Sequence, residues 1–245
     1  MFSLAILIGI YSYIIFSLGL LELLYKPYIV LLTVVYVLIL TYFNREILIR
    51  TILQYFNVLK KASQAIKRKP FLKFLIILIV LQAVVNFIGV LGPELGFDAL
   101  WYHLTLPKIY LINHSMDYIS GGLLYYSAMP KLTEMLYVAG LVFGIEIWAK
   151  FIHFSFGILC LVALYRLSRK FLSKTFSFLA LTFFYSNLVV GWMSITAYID
   201  LARTFFEIMA LWGFVNWIER KEKKWLVMSA VLLGLAISTK LLSLG

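Results

Sequence analysis

Long apolar stretches alternate along the chain with short polar or basic ones. Crossing a hydrocarbon core takes about 17 to 25 helical residues, and runs near or within that length lie at 3–24, 28–43, 71–92, 148–167, 175–195, 199–218 and 225–243. The shortest, 28–43, carries Tyr28, Tyr36, Tyr42 and Phe43 as interfacial anchors. Each run reads as a helix, because a backbone in lipid must satisfy its own hydrogen bonds. The first, from Phe2 to Leu24, has no basic start and no small-residue cleavage pattern, so it reads as a retained span. An eighth stretch, "KLTEMLYVAGLVFGIEI" at 131–147, is only moderately apolar and holds Lys131, Glu134 and Glu146.

Basic residues decide whether that stretch crosses. Residues 44–70 hold seven Lys or Arg, 166–174 hold four and 219–224 hold four, which is 15 of the chain's 22. If 131–147 does not span, all 15 fall on one side, as the excess of Lys and Arg in cytoplasmic loops requires. If it spans, the last eight fall outside. The stretch is therefore expected to lie along the outer surface or to re-enter. This reading gives an all-α polytopic membrane protein of about seven transmembrane helices plus outer juxtamembrane helices, with a cytoplasmic N terminus and an outer C terminus.

Two regions follow. Residues 1–70 contain two N-terminal spans and a basic segment in which Leu48, Ile49, Ile52, Leu53, Phe56 and Leu59 recur at helical spacing, the pattern of a cytoplasmic interfacial helix. Residues 71–245 form a transmembrane module with an outer loop at 93–147. The closing "STKLLSLG" ends an apolar run without a polar tail, so the chain is expected to be the N-terminal part of something longer.

Composition adjusts this picture in two ways. Charged residues make up 13% of the chain, well below the roughly 25% of a soluble domain. The net charge of +11 resides largely in the basic loops, where it meets anionic head groups, so nucleic acid is not an expected partner. Cys160 stands alone in an apolar run and reads as packing.

Outward-facing polar residues then fall in three places. The loop stretch "GPELGFDALWYHLTLPKIYL", residues 92–111, gathers Glu94, Asp98, His103 and Lys108. Asp98 and Tyr102 are four apart and share a face of a short helix that Pro107 disturbs. The plain reading makes Asp98 an N-cap, His103 an interfacial histidine and Lys108 a head-group anchor. The segment "ITAYIDLAR" begins a stripe of Asp200, Arg203 and Glu207. Charges inside a membrane usually mark function, although an Arg203–Glu207 pair with a capping Asp200 accounts for them structurally. Lys240, in the last run, is the third, and at a helix end it can simply snorkel to the head groups. His114 and His153 read as structural.

The order of these pieces resembles the N-terminal half of GT-C class integral-membrane glycosyltransferases, in the branch of protein O-mannosyltransferases and aminoarabinose transferases. "FDALWYHLTLPKIYL" is similar to that branch's first outer loop, "YYSAMPKLTEMLYVAGLVFG" to its juxtamembrane segment, "AYIDLARTFFEIMAL" to the segment with a second Asp, and "LLGLAISTKLLSL" to its "GLA..TK" span. The likeness covers roughly residues 71 to 245. Two positions depart from it: Asp98 is followed by Ala99 where mannosyltransferases have Asp-Glu, and Met129-Pro130 stands for paired prolines. Sugar and acceptor therefore do not carry over.

The resemblance implies transfer of a sugar from a polyprenyl-phosphate donor, dolichyl- or undecaprenyl-type, to an acceptor protein, lipid or glycan on the outer face of the membrane, with inversion and with Asp98 as base. The leaving phosphate needs charge stabilisation more than a general acid. Lys240 is the first choice to supply it, with His103 and Arg203 behind it and Asp200 and Glu94 as further contacts. No Asp-x-Asp pair or histidine ligand pattern is present, so no cofactor and no required metal are expected, although related enzymes can bind a divalent cation. Two other readings stand beside this one: a transporter or channel component using Asp200, Arg203, Glu207 and Lys240, and a noncatalytic or truncated subunit. Membrane lipids are partners in all of them, and a prokaryotic plasma membrane is the expected location.

Overall fold

The computed structural model describes residues 1–42 and 69–244. The interfacial helix expected over 44–70 lies outside the described residues apart from its last two. All regular structure among the described residues is helical. It runs α1 (Phe2–Leu20), α2 (Lys26–Tyr42), α3 (Pro70–Val90), a π-helical turn (Ala99–His103), α4 (Thr105–Asn113), a 3-10 segment (Gly122–Ala128), α5 (Leu132–Leu141), α6 (Ile147–Ser168), α7 (Lys174–Tyr185), α8 (Leu188–Met193), α9 (Asp200–Arg220), α10 (Lys223–Thr239) and a closing 3-10 turn (Leu241–Leu244).

Three of these helices, α1, α3 and α6, are long and apolar enough to cross a membrane by length and composition. The run 175–195 is two helices rather than one. Ser186 and Asn187 end α7, and the Asn187 side chain caps α8 by accepting from the Val189 amide at 2.9 Å. The run 199–218 is one helix of 21 residues, whose Asp200, Arg203, Glu207, Glu219 and Arg220 make it too polar to read as a span by composition.

Five helices share the main core. Ala5 of α1, Leu132 and Leu136 of α5, Phe156 and Cys160 of α6, Phe205, Phe206 and Met209 of α9, and Leu232 and Leu235 of α10 are buried together. Helices α9 and α10 form a tight antiparallel pair joined at Lys221, whose left-handed φ of 56° turns the chain. Gly213 permits the close approach, since a Cβ there would stand 3.2 Å from the Ser229 backbone. Ser229 Oγ donates to the Ala210 carbonyl at 2.8 Å across the same contact.

Nine of the ten residues of α5 are buried, including Glu134 and Thr133. The helix therefore sits inside the protein against α1, α4 and α6 and does not lie on its surface. At ten residues it is about 15 Å long, too short to cross. Non-helical and short elements at membrane depth are tolerated where protein surrounds them.

The two ends of the bundle differ in charge. Lys170 after α6 pairs with Glu219 of α9, the Met1 amine feels Arg166, and the Phe2 ring packs on Trp212 and Trp225 at 4.8 and 5.1 Å. Two of the basic clusters counted in the sequence, at 166–174 and 219–224, thus share one end with the N terminus. The opposite end carries the loop 91–131, the segment 194–199 and the close of α10, which are the three places where outward chemistry was expected.

Candidate active site

Four buried side chains, each satisfied by backbone groups, build the floor of this opposite end. Glu94 accepts from the Leu95 and Gly96 amides at 2.8 and 2.7 Å with one oxygen and from the Ala197 amide at 2.7 Å with the other. A carboxylate holding three N–H donors clamps the start of the first loop to the segment before α9. Lys150, in the first turn of α6, reaches the Gly89, Gly92 and Pro93 carbonyls at 3.2, 2.8 and 3.1 Å and so caps the C terminus of α3. His153 contacts the Thr196 carbonyl through Nδ1 at 2.9 Å and accepts the Leu201 amide on Nε2 at 3.0 Å, which makes Nδ1 the protonated nitrogen. The Tyr137 hydroxyl donates to the Tyr198 carbonyl. Together these bonds fix the two loops that carry Asp98 and Asp200.

Asp98 stands at the N-cap position of the π-helical turn, yet its side chain makes no cap bond among the described residues. Its Oδ2 instead accepts from the Tyr102 hydroxyl at 3.3 Å, the four-residue pairing expected from spacing. Burial and then the neighbouring Asp98 push the Tyr102 hydroxyl above the ordinary tyrosine range, so it stays a donor. The Tyr102 ring stacks on Tyr126 at 3.9 Å and 6°, and Tyr126 stacks in turn on Tyr125 at 4.2 Å. Trp101 meets Tyr126 edge-on at 5.1 Å. Asp98 is therefore a half-buried carboxylate beside an aromatic wall.

Behind that wall lies a cavity of 250 Å³ lined by Tyr102, His103, Tyr126, Glu134, Thr239 and Lys240, among others. One ion pair and one histidine–carboxylate contact stand at it. Lys240 Nζ lies 2.7 Å from Asp200 Oδ1, joining the end of α10 to the start of α9. His103 Nδ1 lies 2.8 Å from Glu134 Oε1, joining the first loop to α5. Nearby, burial lowers the Lys131 ammonium from its usual range, with Glu134 opposing the shift.

The expected residues thus divide. Asp98, His103, Asp200 and Lys240 converge on one region from three distant stretches. Arg203 pairs with Glu207 at 2.7 Å and reaches Ser243 Oγ at 3.1 Å, so it ties α9 to the closing turn and does not line the cavity. Glu94 spends both oxygens on backbone amides. Lys108 pairs with Glu146 rather than standing free. His114 stacks on Tyr25 at 3.8 Å in a left-handed turn, consistent with a structural role. No group of three His, Cys, Asp or Glu side chains able to hold a metal occurs among the described residues.

Sequence reasoning missed Glu134, Lys150, Tyr126 and Tyr137 as members of this architecture. Lys150 had a signal, an ionisable side chain inside an apolar run. Tyr137 and Tyr126 had none, since their partners cannot be read from spacing.

Comparison with known proteins adds one observation. Residues 135–244 match the family model of dolichyl-phosphate-mannose-protein mannosyltransferases. The match covers less than half of the chain and takes in two of the segments that carry the resemblance, "AYIDLARTFFEIMAL" and "LLGLAISTKLLSL". It runs from α5 to the closing turn and includes Asp200 and Lys240, while Asp98 and His103 precede it. No curated protein and no solved structure matches the chain.

Proposed function

We propose that this protein transfers a sugar from a polyprenyl-phosphate donor to a nucleophilic acceptor at the loop end of the bundle, inverting the anomeric centre. The observation that carries this reading is the convergence of Asp98 with the cavity that His103 and Lys240 line, within a chain whose second part matches a mannosyltransferase family. Asp98 serves as the base: it accepts the acceptor proton as the oxygen or nitrogen attacks the anomeric carbon. The bond to the phosphate oxygen breaks with its electron pair, and the phosphate leaves as an anion that Lys240 and His103 stabilise. The aromatic wall of Trp101, Tyr102 and Tyr126 offers an apolar surface against which a sugar ring packs. Orientation follows the basic clusters, with the N terminus cytoplasmic and the cavity on the outer side.

The transport reading draws less support. Arg203 and Glu207 pair with each other and do not line the cavity, so two of the four charges that suggested a polar path are consumed in a local pair. The test is sugar release in membranes supplied with polyprenyl-phosphate sugars. Wild type is expected to turn over and Asp98→Asn to lose at least about a hundredfold, the lower range of a positioned general base; equal rates remove Asp98 from the mechanism.

A further inference from the structure

The His103–Glu134 pair is not explained by the base at Asp98, and its geometry is that of an oriented imidazole. The 2.8 Å contact engages Nδ1 with Glu134 Oε1 and leaves Nε2 as the ring nitrogen not held by Glu134. His103 and Glu134 both line the 250 Å³ cavity with Lys240, and their side chains are 3% and 7% exposed. Glu134 sits in the first turn of the buried α5, which the surrounding core holds rigid. Its second oxygen, Oε2, is buried without a hydrogen-bond partner among the described residues. A carboxylate so thinly solvated is costly to bury unless a positive group stands against it.

We propose that Glu134 is a positioning residue that holds His103 with Nε2–H directed at the lipid-phosphate oxygens of the donor. This inference rests on the glycosyltransferase reading and deepens it by naming the group that orients the phosphate. Glu134, the imidazolium and the phosphate then form an alternating negative–positive–negative row, beside the Lys240 ammonium that Asp200 holds. The lipid phosphate is a singly charged diester in the donor, and it shares the imidazolium charge with Glu134. Other titratable groups around the pair are Tyr102 and Tyr126 on the cavity wall, Tyr198 with its ring 5.9 Å from His103, and Tyr110, Tyr137, Lys131 and His153 on α4, α5, the turn before it and α6. Of these, His153 has both ring nitrogens engaged by backbone. His103 keeps Nε2 for a ligand in the cavity, because its Nδ1 is engaged by Glu134.

The test is binding of methyl decyl phosphate, a diester that keeps one negative charge throughout, to the detergent-solubilised full chain, measured by calorimetry from pH 5.5 to 8.5, with sugar transfer followed in parallel. Wild type is expected to bind more weakly as pH rises through the histidine range. Glu134→Gln is expected to bind about tenfold or more weakly at pH 6, the equivalent of one charge-assisted hydrogen bond, and to show a flattened pH profile. Glu134→Asp is expected to recover part of the affinity, and in transfer assays Glu134→Gln is expected to raise the donor KM more than it lowers kcat. His103→Gln should give the same flat profile. If Glu134→Gln retains both the affinity and the pH profile of wild type, the inference fails; a variant that loses affinity while keeping the wild-type pH profile has lost structure only, and this also overturns it. Wild type that binds methyl decyl phosphate in this pattern yet releases no sugar from any lipid donor defeats the glycosyltransferase reading and leaves the positioning of His103 intact.

Discussion

Replacing Glu94 with Gln isolates the clamp between the two site loops. The carboxylate accepts three backbone amides, at 2.7, 2.7 and 2.8 Å, and the residue is 7% exposed, so solvent screening weakens these bonds little. Glutamine keeps one carbonyl oxygen for Leu95 and Gly96 but presents an NH2 group to the Ala197 amide. One charge-assisted bond is lost, one buried N–H is left without an acceptor, and the remaining two bonds lose their charge assistance. Hydrogen bonds to charged groups contribute about 1.5–3 kcal/mol, and an unmet buried donor costs about 1–3 kcal/mol. The two losses overlap, so the expected destabilisation is about 2–4 kcal/mol. For a chain of this size that corresponds to a fall in melting temperature of about 5–15 °C in detergent. Because the clamp holds the loop of Asp98 against the segment of Asp200, sugar transfer by the folded variant is expected to fall at least about tenfold, since a misplacement of about 1 Å costs up to a hundredfold. Melting within a degree of wild type together with unchanged transfer would refute the clamp.

Lys150→Met removes the ammonium from the Gly92 and Pro93 carbonyls at the end of α3, while Gly89 keeps its bond from the Gly92 amide, and the loss is expected at about 1–3 kcal/mol, read as a melting shift. Arg203→Gln breaks a pair whose side chains are a quarter to a third exposed, so stability should change by about 1 kcal/mol or less with transfer retained. A large loss of transfer at normal stability would return Arg203 to the site. Gly213→Val forces a side chain against the Ser229 backbone at the α9–α10 crossing and should cost about 1–3 kcal/mol, seen as reduced melting temperature. Phenolate absorbance during an alkaline titration, compared between wild type and Tyr102→Phe, should show the missing tyrosine ionising above the ordinary value of about 10, because burial and Asp98 both favour its neutral form.

Much of the site was legible because charge patterning sorts the ends of a membrane bundle before any contact is known. Counting Lys and Arg kept 131–147 from crossing, which placed Asp98, Asp200 and Lys240 on one side. The structure then joins them through pairs 40 residues apart for Asp200 and Lys240 and 31 apart for His103 and Glu134. Such pairs leave no periodic trace. Glu134 was visible only as a reason for α5 not to span, and its imidazole partner could not be named from spacing. The same limit applies to Tyr126, which meets Tyr102 through a stack across the loop. The break of the 175–195 run was written in Ser186 and Asn187, where a capping side chain competes with the helix for backbone donors. Hydropathy averages such a pair away. The N-cap reading of Asp98 failed for the converse reason: position matched the rule, but the carboxylate turned to Tyr102.

The central claim is that Asp98 takes the acceptor proton while the donor phosphate sits against His103 and Lys240. The most direct measurement is single-turnover sugar transfer from a radiolabelled polyprenyl-phosphate sugar by purified wild type and Asp98→Asn, with donor binding measured on the same samples. The account predicts near-equal donor affinity and a transfer rate at least about a hundredfold lower in the variant. A variant that transfers at the wild-type rate, or one whose deficit lies wholly in donor affinity, would contradict it.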